Sequence, residues 1–108
     1  VMKIYQVCWI DFQNKLKKWV DNLNSLTNTK LSATAWSQII DNKNNKVFFV
    51  ADASGVIIGY GVYTEIKNPS QQFAVTDYSA KDQDVFDLII ETLQEQAAKK
   101  GIEIKNAT

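Results

Sequence analysis

Two acidic side chains and a tyrosine stand where predicted strands end, a position from which side chains reach solvent on a rigid backbone. Glu65 closes the second strand of a predicted hairpin, and Asp77 with Tyr78 closes the strand that follows. A carboxylate held there can act as a general base, directly or through a water molecule. The more ordinary alternative is a set of solvated residues at strand ends, because nothing in the sequence fixes their geometry.

Four aspartates crowd the same part of the chain, at positions 77, 82, 84 and 87. Carboxylate oxygens are the ligands that Mg²⁺ and Ca²⁺ prefer, but the spacing fits no EF-hand loop. Acidic residues are also favoured at the start of a helix, where they oppose the positive end of its dipole. We therefore predict a helix start here and no metal site.

Other reactive residue types are scarce. The chain has no histidine, which removes the commonest zinc ligand and the commonest general base at neutral pH. Its single cysteine, Cys8, has no histidine to activate it, and we predict a small buried hydrophobic residue there. Trp19 and Trp36 fall on apolar helical faces and are expected to pack in the core.

Composition limits the classes of partner. The 108 residues are 45% hydrophobic, which fits one domain over residues 1–108. Twelve basic and twelve acidic residues cancel, so no positive field concentrates nucleic acid near the surface. No apolar run is long enough for a membrane span, and the N-terminus lacks a signal-peptide pattern. We therefore expect neither nucleic acid nor a membrane as partner, and a cytoplasmic location.

Hydrophobic periodicity predicts an α+β order of strand, helix, helix, three strands, long helix and strand. The predicted strands are 2–7, 47–51, 56–64, 71–77 and 102–105; the predicted helices follow Asp11, Ser32 or Thr34, and Ser79. Tight turns at 52–55 and 68–70 make the three central strands an antiparallel meander. The long helix ends at Gly101, and it allows the last strand to return parallel to the strand before the helix, giving a mixed sheet with this helix packed on it.

This order, with two local motifs, resembles the GNAT superfamily of acetyl-CoA-dependent N-acetyltransferases. The hairpin Val47–Tyr63 (VFFVADASGVIIGYGVY) is similar to the family's hairpin with its Ile-Gly-Tyr ending. The segment Leu88–Ile104 resembles the helix that follows the family's cofactor loop, with Leu93, Ala97 and Gly101 at intervals of four residues. The resemblance implies a GNAT-like mixed sheet over nearly the whole chain.

The resemblance also implies a place for coenzyme A. The backbone of Ala74, Val75 and Thr76 would contact the pantetheine arm, and Lys81 stands at the basic position of the phosphate loop. The loop departs from the family pattern where small residues are usual, because Asp84 and Phe86 stand there. Ser79 and Asp82 also have the spacing of a capping box, in which their side chains would accept hydrogen bonds from the free backbone N–H groups at the helix start.

Two functions follow from this resemblance. The first is a shortened GNAT-like domain with a degenerate coenzyme A site, no cofactor and no catalysis, which acts through association or binding of a small ligand. Its simplest form is a homodimer that pairs an exposed sheet edge, since the family usually continues beyond this last strand. The alternative is a diverged acetyl-CoA-dependent N-acetyltransferase, in which Glu65 or Asp77 with Tyr78 accepts the proton of the substrate amine.

Overall fold

The computed structural model describes residues 2–26, 31–66, 72–99 and 103–106. In chain order the elements are β1 (Lys3–Val7), α1 (Trp9–Asn14), α2 (Leu16–Leu26), α3 (Ala33–Asp41), β2 (Asn45–Ala51), β3 (Ile57–Ile66), β4 (Gln72–Ala80), α4 (Gln83–Lys99) and β5 (Glu103–Asn106). The predicted α+β order is confirmed with one difference. The first predicted helix is two helices, α1 and α2, which meet at Lys15, where the backbone leaves helical geometry (φ −122°, ψ 21°).

The five strands described form one mixed sheet in the spatial order β1-β2-β3-β4-β5. The first four pair as an antiparallel meander, and β5 returns parallel to β4, as predicted. A parallel return requires a crossover, which α4 provides. The predicted turn at 68–70 and the predicted helix end at Gly101 lie outside the described residues.

The sheet separates two cores. On one face, α1, α2 and α3 bring together a core rich in aromatic rings, which includes Phe12, Trp19, Trp36, Phe49 and Tyr60. The packing of Trp19 and Trp36 inside it confirms the sequence prediction. On the other face, α4 contributes the aliphatic side chains Val85, Ile89, Leu93 and Ala97. These four recur at three- and four-residue spacing, so they form one stripe along the helix.

Two glycines of β3 let α4 approach the sheet closely. A Cβ at Gly59 would lie 2.4 Å from Val85 Cγ1, and one at Gly61 would lie 2.6 Å from Ile89 Cγ2. Neither distance is possible without movement of a β-branched side chain packed in the core. The two glycines therefore set how closely the first half of α4 packs on β3.

Two asparagines of α2 join the helical layer to distant backbone. Asn22 accepts from the Ile57 N–H and donates to the Ile57 carbonyl, both at 2.8 Å. Asn24 accepts from the Leu31 N–H at 3.1 Å and donates to the Leu31 carbonyl at 2.8 Å. Each side-chain amide thus makes a pair of hydrogen bonds with a single residue, which holds the entry to β3 and the approach to α3 against α2.

Cys8 corrects a prediction. It is exposed rather than buried, lies at the N-cap position of α1, and donates from Sγ to the Asp11 carboxylate at 3.0 Å. Among the described residues, no three cysteine, aspartate or glutamate side chains cluster as metal ligands. None of the helices described is both long enough and apolar enough to cross a membrane.

Candidate active site

Strand β4 has two differently paired halves. Its first half, Gln72–Val75, pairs with β3 on one edge and with β5 on the other. Its second half, Thr76–Ala80, pairs with β3, and no described residue pairs with its other edge. We call these segments the paired half and the open half. The open half leads directly into α4, so unpaired backbone groups and a helix N-terminus lie side by side.

A bulge marks the start of the open half. Val62 pairs with Asp77 and Tyr63 pairs with Val75, so Thr76 has no direct partner on β3. The Thr76 hydroxyl lies 3.2 Å from the Thr64 hydroxyl and donates to the Val62 carbonyl at 3.4 Å. A bulge re-aims the side chains that follow it. Here it places Asp77 on the same face as Val62, toward the layer formed by α1, α2 and α3.

Asp77 is held by a buried tyrosine. The Tyr60 hydroxyl donates to Asp77 Oδ2 at 2.9 Å. Tyr60 is 2% exposed, whereas Asp77 is exposed. Burial, together with the Asp77 carboxylate, raises the pKa of Tyr60 well above its usual range. The tyrosine therefore stays a hydrogen-bond donor at neutral pH and fixes a carboxylate that still faces solvent.

Further contacts support Tyr60 from the helical layer. The rings of Trp36 and Tyr60 meet edge to face with centroids 5.4 Å apart. The Trp36 indole nitrogen donates to Asn24 Oδ1 at 3.0 Å. The carboxylate of Asp77 is thus oriented through a continuous series of contacts that begins in α2, and this rigidity suits a group that must meet a reacting atom.

Tyr78 faces the other side of the sheet. It pairs with Gly61, which faces α4, and its ring lies 5.2 Å from the ring of Phe86 on that helix. Tyr78 is 45% exposed, so the pair borders the open half from the α4 side. Asp77 and Tyr78 therefore flank the same edge from opposite faces, and they do not form one acid–base pair.

The start of α4 differs from the prediction. Ser79 lies within β4, and its hydroxyl donates to the Leu26 carbonyl at 2.8 Å, so it caps no helix. Asp82 takes that role, since its Oδ1 accepts from the Val85 N–H at 3.1 Å and its carbonyl accepts from the Phe86 N–H. Lys81, an exposed residue, lies between β4 and this cap.

The remaining predicted residues are placed away from the open half. Ala74 and Val75 are buried in the paired half, where β5 occupies the edge that was expected to contact a cofactor. Glu65 pairs with Phe73 at the far end of β4, on the α4 side of the sheet with Tyr63. Burial, and next the Glu65 carboxylate, raise the pKa of Tyr63 to about 12. Thr76, Asp77, Tyr78 and Lys81 thus lie along the open half or directly after it, and Glu65 does not.

Tyr60 and Trp36 are parts of this site that the sequence prediction missed. Tyr60 belongs to the Ile-Gly-Tyr segment that marked the hairpin, so its strand was correctly placed. Its contact with Asp77 depends on the register between β3 and β4, which the bulge shifts. The available signal was a tyrosine in the apolar first part of β3, because a buried tyrosine hydroxyl needs a partner.

Comparison with solved structures defines the fold as GNAT-like. The ribosomal-protein-alanine N-acetyltransferase from Brucella melitensis biovar Abortus 2308 matches with a TM-score of 0.79 at 9% identity, over 98% of this chain and 78% of that one. The aminoglycoside 6'-N-acetyltransferase AAC(6')-Ih from Acinetobacter baumannii matches with a TM-score of 0.74 at 9% identity, over 100% and 80%. No protein-family model and no curated protein sequence matches.

A third neighbour corrects the prediction about cofactors. AAC(6')-Iy, solved with the bisubstrate analogue CoA-S-monomethyl-acetylneamine, matches with a TM-score of 0.72 at 18% identity, over 100% of this chain and 80% of that one. The expectation that no cofactor binds is therefore wrong. These neighbours are acetyltransferases, one of them holding a coenzyme A analogue, and they point to acetyl-CoA rather than to none.

Proposed function

We propose that this protein is an acetyl-CoA-dependent N-acetyltransferase, with the open half of β4 as its active site. The observation that carries the proposal is Asp77, an exposed carboxylate fixed by the buried Tyr60 hydroxyl at 2.9 Å, beside a strand edge with which no described residue pairs. The acetyltransferase neighbours, reported above, support the same reading. The alternative of a non-catalytic domain stays a prediction, which the assay below separates from this proposal.

The residues of the open half suit part of acetyl-CoA well. On the edge of Thr76–Ala80 that faces away from β3, no described strand uses the backbone N–H and C=O groups, and these can bond to the amides of a pantetheine arm as one strand bonds to another. Lys81 offers an exposed ammonium group for a phosphate. The exposed carboxylate of Asp84, in the first turn of α4, opposes a phosphate there. Binding is therefore expected to depend on the strand more than on the helix start.

Asp77 has the chemistry of the proton acceptor. Acetyl-CoA, when bound, supplies an acetyl group as an activated thioester. An amine at neutral pH is mostly protonated and has no lone pair to attack with, so a base must first remove a proton. The Asp77 carboxylate takes that proton, directly or through a water molecule. Tyr60 keeps the carboxylate aimed throughout, because its own hydroxyl does not ionise in the working pH range.

Titration with acetyl-CoA followed by turnover tests the proposal. Isothermal calorimetry is expected to give saturable binding, and release of free coenzyme A thiol is expected when a panel of primary amines is added. Binding without release for any amine would favour the non-catalytic alternative. Neither heat nor a shift in melting temperature at about 1 mM acetyl-CoA, a concentration that detects even weak ligands, would contradict the proposal.

Several expectations stay predictions beside it. They are a single domain over residues 1–108, a cytoplasmic location, the absence of nucleic acid, membrane and metal partners, and a homodimer through a sheet edge. For the dimer, β1 and β5 each pair with one described strand, β2 and β4 respectively. A pairing of such edges across a two-fold axis would double the mass measured by light scattering, and a monomeric mass would contradict it.

A further inference from the structure

A groove lies near the opposite edge of the sheet from the candidate active site. It has a volume of about 520 Å³ and is bordered by β1, the α1–α2 junction and the turn between β2 and β3. Volumes of this size are typical of small-molecule sites. Three strand spacings separate β1 from β4, which corresponds to about 14 Å. The groove is therefore distinct from the open half of β4.

Aromatic rings line this groove. Trp19 is 6% exposed and packs edge to face on Phe49, with centroids 5.3 Å apart. Tyr5 is half-buried and also meets Phe49, at 6.2 Å. Both rings are thus held by the core ring behind them. Because Trp19 is buried, Tyr5 offers more of the accessible aromatic surface, and this surface needs no ordering when a ligand arrives.

Three lysines surround the rings: Lys3, Lys15 and Lys18. All three are exposed, and none makes an ion pair with a described residue. The Lys15 ammonium lies 5.5 Å from the centre of the Trp19 ring, so a positive charge is held at the rim above an aromatic face. Lysine acts as a point charge for carboxylate and phosphate groups, and it needs no fixed fork geometry to do so.

The groove also contains two aspartates, which already accept hydrogen bonds from the protein. Asp52 Oδ1 accepts from the Ser54 N–H at 2.8 Å and from the Val56 N–H at 3.1 Å. Asp11 Oδ2 accepts from Cys8 at 3.0 Å. Three lysines against two aspartates leave one net positive charge, and no described carboxylate forms an ion pair with any of the three lysines. The unmatched charge in the groove is therefore positive.

We propose that this groove is a binding site for a small aromatic anion, a single ring that carries a carboxylate or a phosphate monoester. The ring packs on Tyr5 and meets the small accessible part of Trp19, and the anionic group contacts Lys15 and Lys18 at the rim. A ring without charge leaves the lysines without an anionic partner, and an anion without a ring leaves the accessible part of Tyr5 in contact with water. This site lies outside the proposed transferase chemistry and does not depend on it.

Nuclear magnetic resonance titration of the whole chain tests the site, with backbone amide shifts as the readout. Benzoate and phenyl phosphate are the two probes, benzylammonium is the matched cation, and inorganic phosphate is the anion without a ring. We expect saturable shifts in β1, α1 and α2 with a dissociation constant of about 0.1 to 1 mM for at least one probe, given roughly ten ligand atoms. The tighter of the two probes identifies the anionic group, and inorganic phosphate binds more weakly than either.

A pair of double variants provides the control. Lys15→Gln with Lys18→Gln is expected to weaken binding about five- to ten-fold, as loss of two ammonium contacts predicts. Lys43→Gln with Lys99→Gln removes the same charge from exposed positions elsewhere and should leave binding unchanged. The proposal is overturned by no saturation below about 10 mM, by equal binding of benzylammonium, or by equal weakening in both double variants. Acetyl-CoA turnover should be the same in both double variants as in the wild type, because the groove is separate from the open half of β4.

Discussion

The paired and open halves of β4 belong to one strand but meet different surroundings. In the paired half, Ala74 and Val75 are buried between β3 and β5 and contribute to the packing of the sheet. In the open half, Asp77 and Tyr78 are exposed, and one edge of the backbone has no described strand beside it. The first half therefore contributes mainly to stability, and the second offers polar groups that a ligand can use.

The largest expected effect comes from putting a charge into the paired half. Val75 is 5% exposed and packs beside Ile89 and Leu93, so Val75→Asp buries a carboxylate without a partner. This should lower the free energy of unfolding by about 3 to 5 kcal/mol, measured by urea denaturation. The same carboxylate introduced by Tyr78→Asp, in the open half, should cost about 1 kcal/mol, mainly the lost ring contact with Phe86. Equal losses in both variants would contradict the distinction between the halves.

Asp77→Asn should have the opposite effect, leaving stability intact and removing function. Asparagine still accepts the hydrogen bond from Tyr60 but cannot take a proton, so kcat for acetyl transfer should fall by about 10² to 10⁴-fold. Steady-state thiol release measures it, and a thermal melt verifies the fold.

Tyr60→Phe is the companion variant for Asp77. The base remains but loses its fixed orientation, so kcat should fall by about ten-fold with KM for acetyl-CoA unchanged. An Asp77→Asn variant with normal turnover would show that another group accepts the proton.

A smaller effect is expected at the junction between the open half and α4. Asp84→Asn removes a carboxylate from the first turn of the helix, near the place proposed for phosphate. Since two unit charges at about 4 Å in water repel by about 1 kcal/mol, acetyl-CoA should bind about five-fold more tightly by calorimetry. Asp87→Asn, one turn further and already bonded to Gln83, is the control and should change affinity less. Weaker binding in the Asp84 variant would place the phosphates elsewhere.

The stability of the protein at alkaline pH depends on two tyrosines of β3, one paired with each half of β4. Tyr63 pairs with Val75 and Tyr60 pairs with Ser79, and burial raises the pKa of both, that of Tyr63 to about 12. Above the ordinary tyrosine pKa of 10, the unfolded chain loses these protons before the folded protein does. Their contribution is therefore complete below pH 10 and is lost as the pH rises toward the folded values.

At neutral pH both tyrosines keep their protons in the folded and the unfolded chain, so no stability is lost there. This prediction therefore comes last in the set. Thermal melts from neutral pH to about pH 12 should fall steeply for the wild type. Tyr60→Phe should flatten that fall more than Tyr63→Phe, because the pKa of Tyr60 is raised further. Identical profiles for the three proteins would mean that neither tyrosine controls the alkaline transition.

The sequence predicted the elements well because their hydrophobic periodicity is regular. The turn at 52–55 needed no tertiary information, because its Asp-Ala-Ser-Gly sequence is itself typical of a tight turn. The break between α1 and α2 was not predictable, since Lys15 is an ordinary helix former and no glycine or proline marks the position. The end of β4 was also missed. It was expected at Asp77, but pairing with Tyr60 and Gly59 continues the strand to Ala80.

The candidate site was predicted in part. Asp77 was named as a candidate from residue type and position, but its hydrogen-bond partner Tyr60 depends on cross-strand register. The bulge at Thr76 resets the alternation of β4, and no turn or glycine signals it in the sequence. The same register places Glu65 at the opposite end of β4 from Asp77, although both were candidates for the same proton-accepting role. The extension of β4 also explains why Ser79 became a strand residue rather than a helix cap.

The hydrogen bonds of Asn24 have a consequence for the chemical durability of the protein. Its amide nitrogen donates to the Leu31 carbonyl, while its oxygen serves both the Leu31 N–H and the Trp36 indole. Spontaneous deamidation would replace that nitrogen with an oxygen that can only accept, so two acceptors would face each other. Trp36 packs on Tyr60, and Tyr60 orients Asp77. Deamidation of Asn24 would therefore disturb the orientation of the Asp77 carboxylate, although no residue of the open half is altered.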